Sequence, residues 1–211
     1  MHGDICGPIK PVTPGGKTLF LLLVDDKSRF MWLILLQAKS EAVEAIKRIQ
    51  AQAEAECGKK MWVLRTDRGK EFTSASFSKY CDELGMQRHL TASYSFQQKG
   101  VVERQNQTII GTTRSLLMTA GMPRRFWGEA VMTVVYLLNQ SPTRSLNEKT
   151  SHEAWYHKKP AVRHLRVFGC VAYMKNARPH LAKLDPRRLK VVFIGYEPER
   201  KAYRFYDPVE G

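Results

Sequence analysis

Six consecutive apolar residues, Leu19 to Val24, stop at Asp25-Asp26, and a second largely apolar run, Arg29 to Leu36, follows almost at once. A run this short cannot span a bilayer, and it is too short and too late in the chain for a secretory leader. It lies in a strand read from Lys17 to Val24, which turns tightly through Asp25-Asp26-Lys27-Ser28 into a second strand. A further strand is read at residues 2–6, separated from these by the turn residues Pro11, Pro14, Gly15 and Gly16. Residues 2–36 therefore predict a three-stranded antiparallel meander. Asp25 and Asp26 close its hairpin; adjacent strand residues point to opposite faces and make a poor ligand pair.

Beyond the meander the pattern alternates. Ser40 to Cys57 reads as a helix that Ser40 caps and Gly58 ends. Met61 to Arg65 is a strand, Ser74 to Leu84 a helix stopped at Gly85, and Gln87 to Leu90 a short strand. Thr91 to Lys99 lacks periodicity and reads as a loop. A long helix starts near Gly100 and ends at Gly121 and Pro123. On it Val102, Ile109, Leu116 and Ala120 share one side and Glu103, Gln107 and Arg114 another, which places Glu103 in the first turn, away from the apolar stripe. A further helix runs from Arg124 to Asn139, with Trp127 in the core. From about Arg166 the character changes: Val167 to Met174, Lys190 to Tyr196 and Ala202 to Tyr206 read as short strands.

The chain has 211 residues, room for one good domain and a small module. Its 43% apolar content, with four Trp and nine Phe, supports a packed core. The formal charge of +14 points to a polyanionic partner, whose binding would weaken steeply with salt, with a basic domain lacking such a partner as the plain alternative. Residues 160–211 contribute to that charge with eleven Lys/Arg against five Asp/Glu. The four cysteines (Cys6, Cys57, Cys81, Cys170) are scattered, and no Cys/His set has zinc spacing, so reduced thiols and no zinc are expected. Asn106-Gln107-Thr108 and Asn139-Gln140-Ser141 match the glycosylation pattern by chance, given no secretory signal.

The chemistry concentrates in carboxylates. Asp67 lies in Thr66-Asp67-Arg68-Gly69-Lys70-Glu71-Phe72 and Glu103 in Gly100-Val101-Val102-Glu103-Arg104, with 35 residues between them; Asp4 stands far upstream. Two aspartates and a glutamate gathered by a fold offer hard oxygen ligands suited to magnesium or manganese. Singly each has an ordinary role: Asp4 a strand end, Asp67 a turn, Glu103 a glutamate favoured at a helix start. Glu71 is read as a supporting group or the start of the next helix. His89 is read as a partly buried structural histidine rather than a DNA contact. Lys99, Arg104, Gln107 and Arg114, and farther on Arg187, Arg188 and Lys190, are candidate nucleic-acid contacts, with a solvated charged face as the plain alternative. Arg124-Arg125 shares that ambiguity.

In this order and spacing, Asp4-Ile5-Cys6-Gly7-Pro8, Thr66 to Phe72, Gly100 to Arg104, Phe126-Trp127-Gly128-Glu129-Ala130, Val167-Phe168-Gly169-Cys170 and Phe193-Ile194-Gly195-Tyr196 resemble the integrases of copia-type LTR retrotransposons, relatives of the retroviral integrases. The resemblance implies an α/β, ribonuclease-H-like core with a mixed five-stranded sheet flanked by helices at residues 1–145. A linker with a short helix at 146–165 and a small, incomplete SH3-like β-barrel at 166–211 would follow. It further implies Asp4, Asp67 and Glu103 as catalytic residues and ligands of two Mg²⁺ or Mn²⁺, with Asp4 and Asp67 side by side on neighbouring strands. The activity implied is 3′-end processing of element DNA and its strand transfer into host DNA. The protein would act in the nucleus as a homo-oligomer cut from a larger polyprotein, with no membrane partner.

The chain departs from the family pattern at two points. Arg68-Gly69 stands where Asn-Gly is common, and Phe96-Gln97-Gln98-Lys99-Gly100 replaces Pro-Gln-Gln-Asn-Gly. A cation at 68 or 99 would compete with a metal if it pointed inward. Only three residues precede Asp4, and the zinc-binding module that precedes this core in the family is missing, so a fragment or decaying copy is the counter-reading. That copy would bind nucleic acid without catalysis; a ribonuclease of the same fold is a third reading.

Overall fold

The computed structural model describes residues 1–90, 96–177, 179–197 and 201–209, residues 96–100 by their backbone only. β1 (His2–Cys6), β2 (Leu19–Val24) and β3 (Met31–Leu36) form the meander; α1 (Ala42–Cys57) leads to β4 (Val63–Thr66), and α2 (Ala75–Glu83) to β5 (Gln87–Leu90). The sheet order is β3-β2-β1-β4-β5. The meander strands pair antiparallel, whereas β1–β4 and β4–β5 pair parallel, which makes the sheet mixed, as expected. Then come α3 (Phe96–Thr119), α4 (Trp127–Gln140) and α5 (Ser151–Tyr156). A second antiparallel sheet, β6 (Val171–Lys175), β7 (Arg188–Tyr196) and β8 (Tyr203–Tyr206), closes the order.

β2 organises the core. All six of its residues are buried, because the sheet is covered on both faces. Leu19, Leu21 and Leu23 pack into a cluster with Ala42, Ile46 and Ile49 of α1 and Phe77 and Cys81 of α2. Phe20, Leu22 and Val24 pack into another with Val102 and Ile109 of α3 and Trp127, Val131 and Val134 of α4. Each of the larger side chains contributes roughly 2 kcal/mol by leaving water. That two-sided burial accounts for an apolar run without alternation.

Helix ends follow local chemistry, with some corrections. The Ser74 hydroxyl accepts from the Phe77 N–H at 3.4 Å at the start of α2. Gly58 ends α1 in the left-handed region (φ 65°), its N–H returned to Glu54 O. Ser40 does not cap: it lies inside a 3₁₀ turn, Lys39–Glu41, that precedes α1. Likewise α4 is preceded by a 3₁₀ turn, Arg124–Phe126, instead of starting at Arg124. The expected loop Thr91–Lys99 is helical from Phe96 onward, and its first five residues lie outside the described set. β6 starts at Val171, not Val167. Trp127 is in the core as expected, its indole N–H donating to Pro11 O at 2.8 Å. Asp25 closes the hairpin by accepting from the backbone and hydroxyl of Ser28.

β3 is an edge strand, and a helix side chain completes it. The buried Asn139 amide of α4 accepts from Met31 N (3.0 Å) and donates to Met31 O (2.9 Å), replacing one residue of a neighbouring strand. Removing it strands two buried main-chain groups. Asn139→Ala is therefore expected to lower unfolding free energy by about 3 kcal/mol in a urea titration.

Candidate functional site

Strand register sets the site. In the parallel β1–β4 pair His2 lies opposite Arg65. Two residues farther along each chain stand Asp4, within β1, and Asp67, one residue past the end of β4. Continued by two residues, that register brings Asp67 level with Asp4, in keeping with the action of the Asp67 charge on Asp4. The face of the sheet that Asp4 takes carries α3, since Asp4 pairs with Leu22 of the α3-facing cluster.

α3 meets the aspartates through Asn106. This residue is 7% exposed and its amide donates to Asp4 Oδ2 at 2.7 Å. Its own Oδ1 is buried and has no partner among the described residues. Asn106 shares the inner face with Val102, Ile109 and Thr113, all buried. Sequence reading missed it; the signal was a polar residue at helical spacing inside the apolar stripe. Glu103, three positions earlier, is exposed. Because α3 begins at Phe96, Glu103 lies two turns into the helix rather than in its first turn. It cannot owe its place to the helix start.

Asp4 feels the other two carboxylates. Burial, then the negative charge of Asp67, push Asp4 up to about 6, and Glu103 adds to the effect; the Ile5 N–H and the Asn106 amide pull the other way. Yet among the described residues no three His, Cys, Asp or Glu side chains stand close enough to hold a metal ion. The carboxylates thus share a field without forming a closed cage. Asp67 is held by an N–H···O bond from Gly69 to its Oδ1 at 3.0 Å. Glu71 takes no part in this group; it pairs with Lys39 at 3.5 Å. Arg68 is exposed.

The candidate nucleic-acid contacts fall in two places. Arg104, Gln107 and Arg114 are exposed on the outer face of α3; the Lys99 side chain lies outside the described residues. Arg188 and Lys190 are exposed on β7, and Arg187 is exposed just before it, its guanidinium donating to Ala182 O at 3.2 Å. His89 is exposed on β5, a correction to its expected partial burial: no residue of β5 belongs to either core cluster, so its face is not covered by the helices that bury β2. Cys6 shares the face of Asp4, but burial, then the charge of Asp4, push its thiol up to about 11, which rules it out as a thiolate nucleophile at neutral pH.

Asp4 carries a testable cost. Its usual value is 3.8, and the fold raises it to about 6. A raised carboxyl stabilises the fold fully below about pH 4 and loses that contribution as pH rises through about 6. Asp4→Asn should stabilise the protein in chelator at about pH 7.5 by on the order of 2 kcal/mol, with the difference vanishing near pH 4, as read by thermal unfolding across pH.

Residues 1–95 match the integrase core domain family, and residues 170–211 match the retroviral polymerase SH3-like domain family. The chain is 38% identical over 210 residues to the retrovirus-related Pol polyprotein from transposon TNT 1-94 of Nicotiana tabacum, covering all of this chain and 16% of that protein. It is 28% identical over 184 residues to the Pol polyprotein from transposon RE1 of Arabidopsis thaliana, covering 87% of this chain and 12% of that protein. The chain therefore spans less than a fifth of the length of these relatives. Among solved structures it resembles the HTLV-2 integrase catalytic core domain in complex with magnesium, in a trimeric form (TM-score 0.53, 22% identity, 73% of this chain and 93% of that one). It also resembles a chain of the simian T-cell lymphotropic virus intasome in complex with the PP2A regulatory subunit B56 gamma (TM-score 0.58, 16% identity, 98% and 74%).

Proposed function

We propose that this chain, which belongs to the integrases of retrovirus-related Pol polyproteins by its core domain at residues 1–95 and its SH3-like domain at 170–211, cuts and joins DNA ends with divalent cations held by Asp4, Asp67 and Glu103. The observation that carries this reading is the coupling of Asp4 to both other carboxylates, one across the sheet and one from α3. Burial first, and then the charges of Asp67 and Glu103, raise Asp4 to about 6, and a pair of hard cations would offset both costs. The similarity to an integrase core solved with magnesium supports the same choice of metal.

When bound, two magnesium or manganese ions supply activation of water or a DNA 3′-hydroxyl and stabilisation of the departing oxygen. Asp4 and Asp67 present their carboxylates from a rigid sheet, so the position of the reacting phosphodiester is set by strand register. Glu103 contributes from an exposed helix position, where its side chain has room to turn toward the aspartates. Asn106 holds Asp4 Oδ2 in one orientation. Arg104, Gln107 and Arg114 lie on the outer face of the same helix and would meet phosphates of the bound end. Arg187, Arg188 and Lys190 would hold DNA farther from the reacting end. The chain acts as a multimer, in the nucleus, as one part of a longer polyprotein; the trimeric and intasome forms of the similar structures support the assembly.

One observation favours the non-catalytic reading: no three of the described acidic, His or Cys residues form a ready metal group. The two readings separate experimentally. Under the catalytic one, Asp67→Asn abolishes magnesium-dependent joining of short duplex ends, by at least about a thousandfold, while DNA affinity holds or rises. Calorimetric titration with Mn²⁺ should show heat for the parent chain and weakened binding for Glu103→Gln. Parent chain that binds DNA but neither takes up metal nor joins ends would establish the non-catalytic reading.

A further inference from the structure

The C-terminal sheet presents a face that duplex contacts alone do not explain. In the β6–β7 pair Val171 lies opposite Val192, Tyr173 opposite Lys190 and Lys175 opposite Arg188. The period of two puts all six side chains on one face. At its inner end this face is buried: Ile194 packs into the α3–α4 cluster, and Tyr206, opposite Val192, packs edge-on against Phe126. At its outer end it emerges into solvent, with Tyr173 66% exposed and Val171 51% exposed. Lys175, Arg188 and Lys190 are exposed around Tyr173, and no acidic residue pairs with any of them among the described residues. Tyr173 makes no ring contact among the described residues, unlike Tyr196 on β7 and Tyr203 and Phe205 on β8, each of which has at least two. A large exposed aromatic ring, flanked by cations without an acidic partner among the described residues, offers a surface to a ligand.

We propose that this face binds single-stranded nucleic acid, with an unpaired base stacked on Tyr173 and the flanking phosphates held by Lys175, Arg188 and Lys190. The charge pattern selects a polyanion, and the central ring selects one whose bases are open. A paired duplex hides its base faces and would use only the cations. This inference rests on the reading of the chain as a DNA-joining enzyme and extends it: the C-terminal sheet would hold the unpaired overhang of an end while the core holds the phosphodiester.

The test measures fluorescence anisotropy of the full chain with labelled oligothymidylate and, separately, with a blunt duplex. Tyr173→Ala is expected to weaken oligothymidylate binding about tenfold and change duplex binding by less than about twofold. Tyr173→Phe, which keeps the ring, should stay within about twofold of the parent on both. Tyr173 is largely exposed, so these variants fold. Parent chain that binds both probes while Tyr173→Ala is neutral, or loses both equally, overturns the stacking assignment and leaves the DNA-joining reading intact. Parent chain that binds neither probe overturns both.

Discussion

The two-sided burial of β2 is the constraint from which the rest follows. Its odd-numbered residues are committed to the α1–α2 cluster and its even-numbered ones to the α3–α4 cluster. Because Asp4 is paired with Leu22, the direction of Asp4 is settled by which side Leu22 must take. A one-residue slip would drive Leu19, Leu21 and Leu23 to the wrong cluster and turn Asp4 toward α1. Neither outcome is affordable in a core where these residues are almost wholly inaccessible. Gly3, between His2 and Asp4, faces the α1 side under Leu23; a Cβ there would lie 2.7 Å from the Leu23 side chain. The strand that carries the site is thus pressed closely against the hydrophobic layer that aims it.

The site is an electrostatic compromise. Packing α3 on the sheet buries Asp4 beside another carboxylate, which raises the energy of its charged form. Asn106 offsets part of this with a short hydrogen bond, at the expense of leaving its own carbonyl oxygen unpartnered in the described structure. A purely structural arrangement would place an apolar residue at both positions.

The second sheet is seated on α4 by specific contacts. Thr133 donates to Ile194 O at 3.5 Å, and Arg204 reaches Glu129 at 3.0 Å. Tyr136 stacks on Tyr196 and is hydrogen-bonded to His164 at 2.6 Å. Gly195 permits the approach: its φ is 142°, and a Cβ there would fall 2.7 Å from the Thr133 hydroxyl. Burial pushes the Glu129 carboxyl up while Arg204 draws it down, as expected for an ion pair largely removed from water. These contacts give the basic face of β6 and β7 a defined place beside the core.

Much was legible in the chain itself. The meander, the helix stops at Gly58 and Gly85 and the paired carboxylate motifs depend on local pattern: apolar runs, turn residues and spacing. These are short-range properties that tertiary context did not override. The start of α3 is not legible in the sequence because Phe96-Gln97-Gln98-Lys99-Gly100 has no apolar period. The exposure of His89 depends on whether a helix covers that face of β5, which sequence order does not reveal. Asn106 and Tyr173 were invisible as functional candidates for one reason. The first matters because a strand 102 residues away brings a carboxylate to its amide, the second because cross-strand pairing surrounds it with cations. Residue types and their order determined which chemistry this chain could carry; only the packing of strands and helices decided which side chains meet, because proximity between distant residues is created by burial and pairing and not by spacing along the backbone.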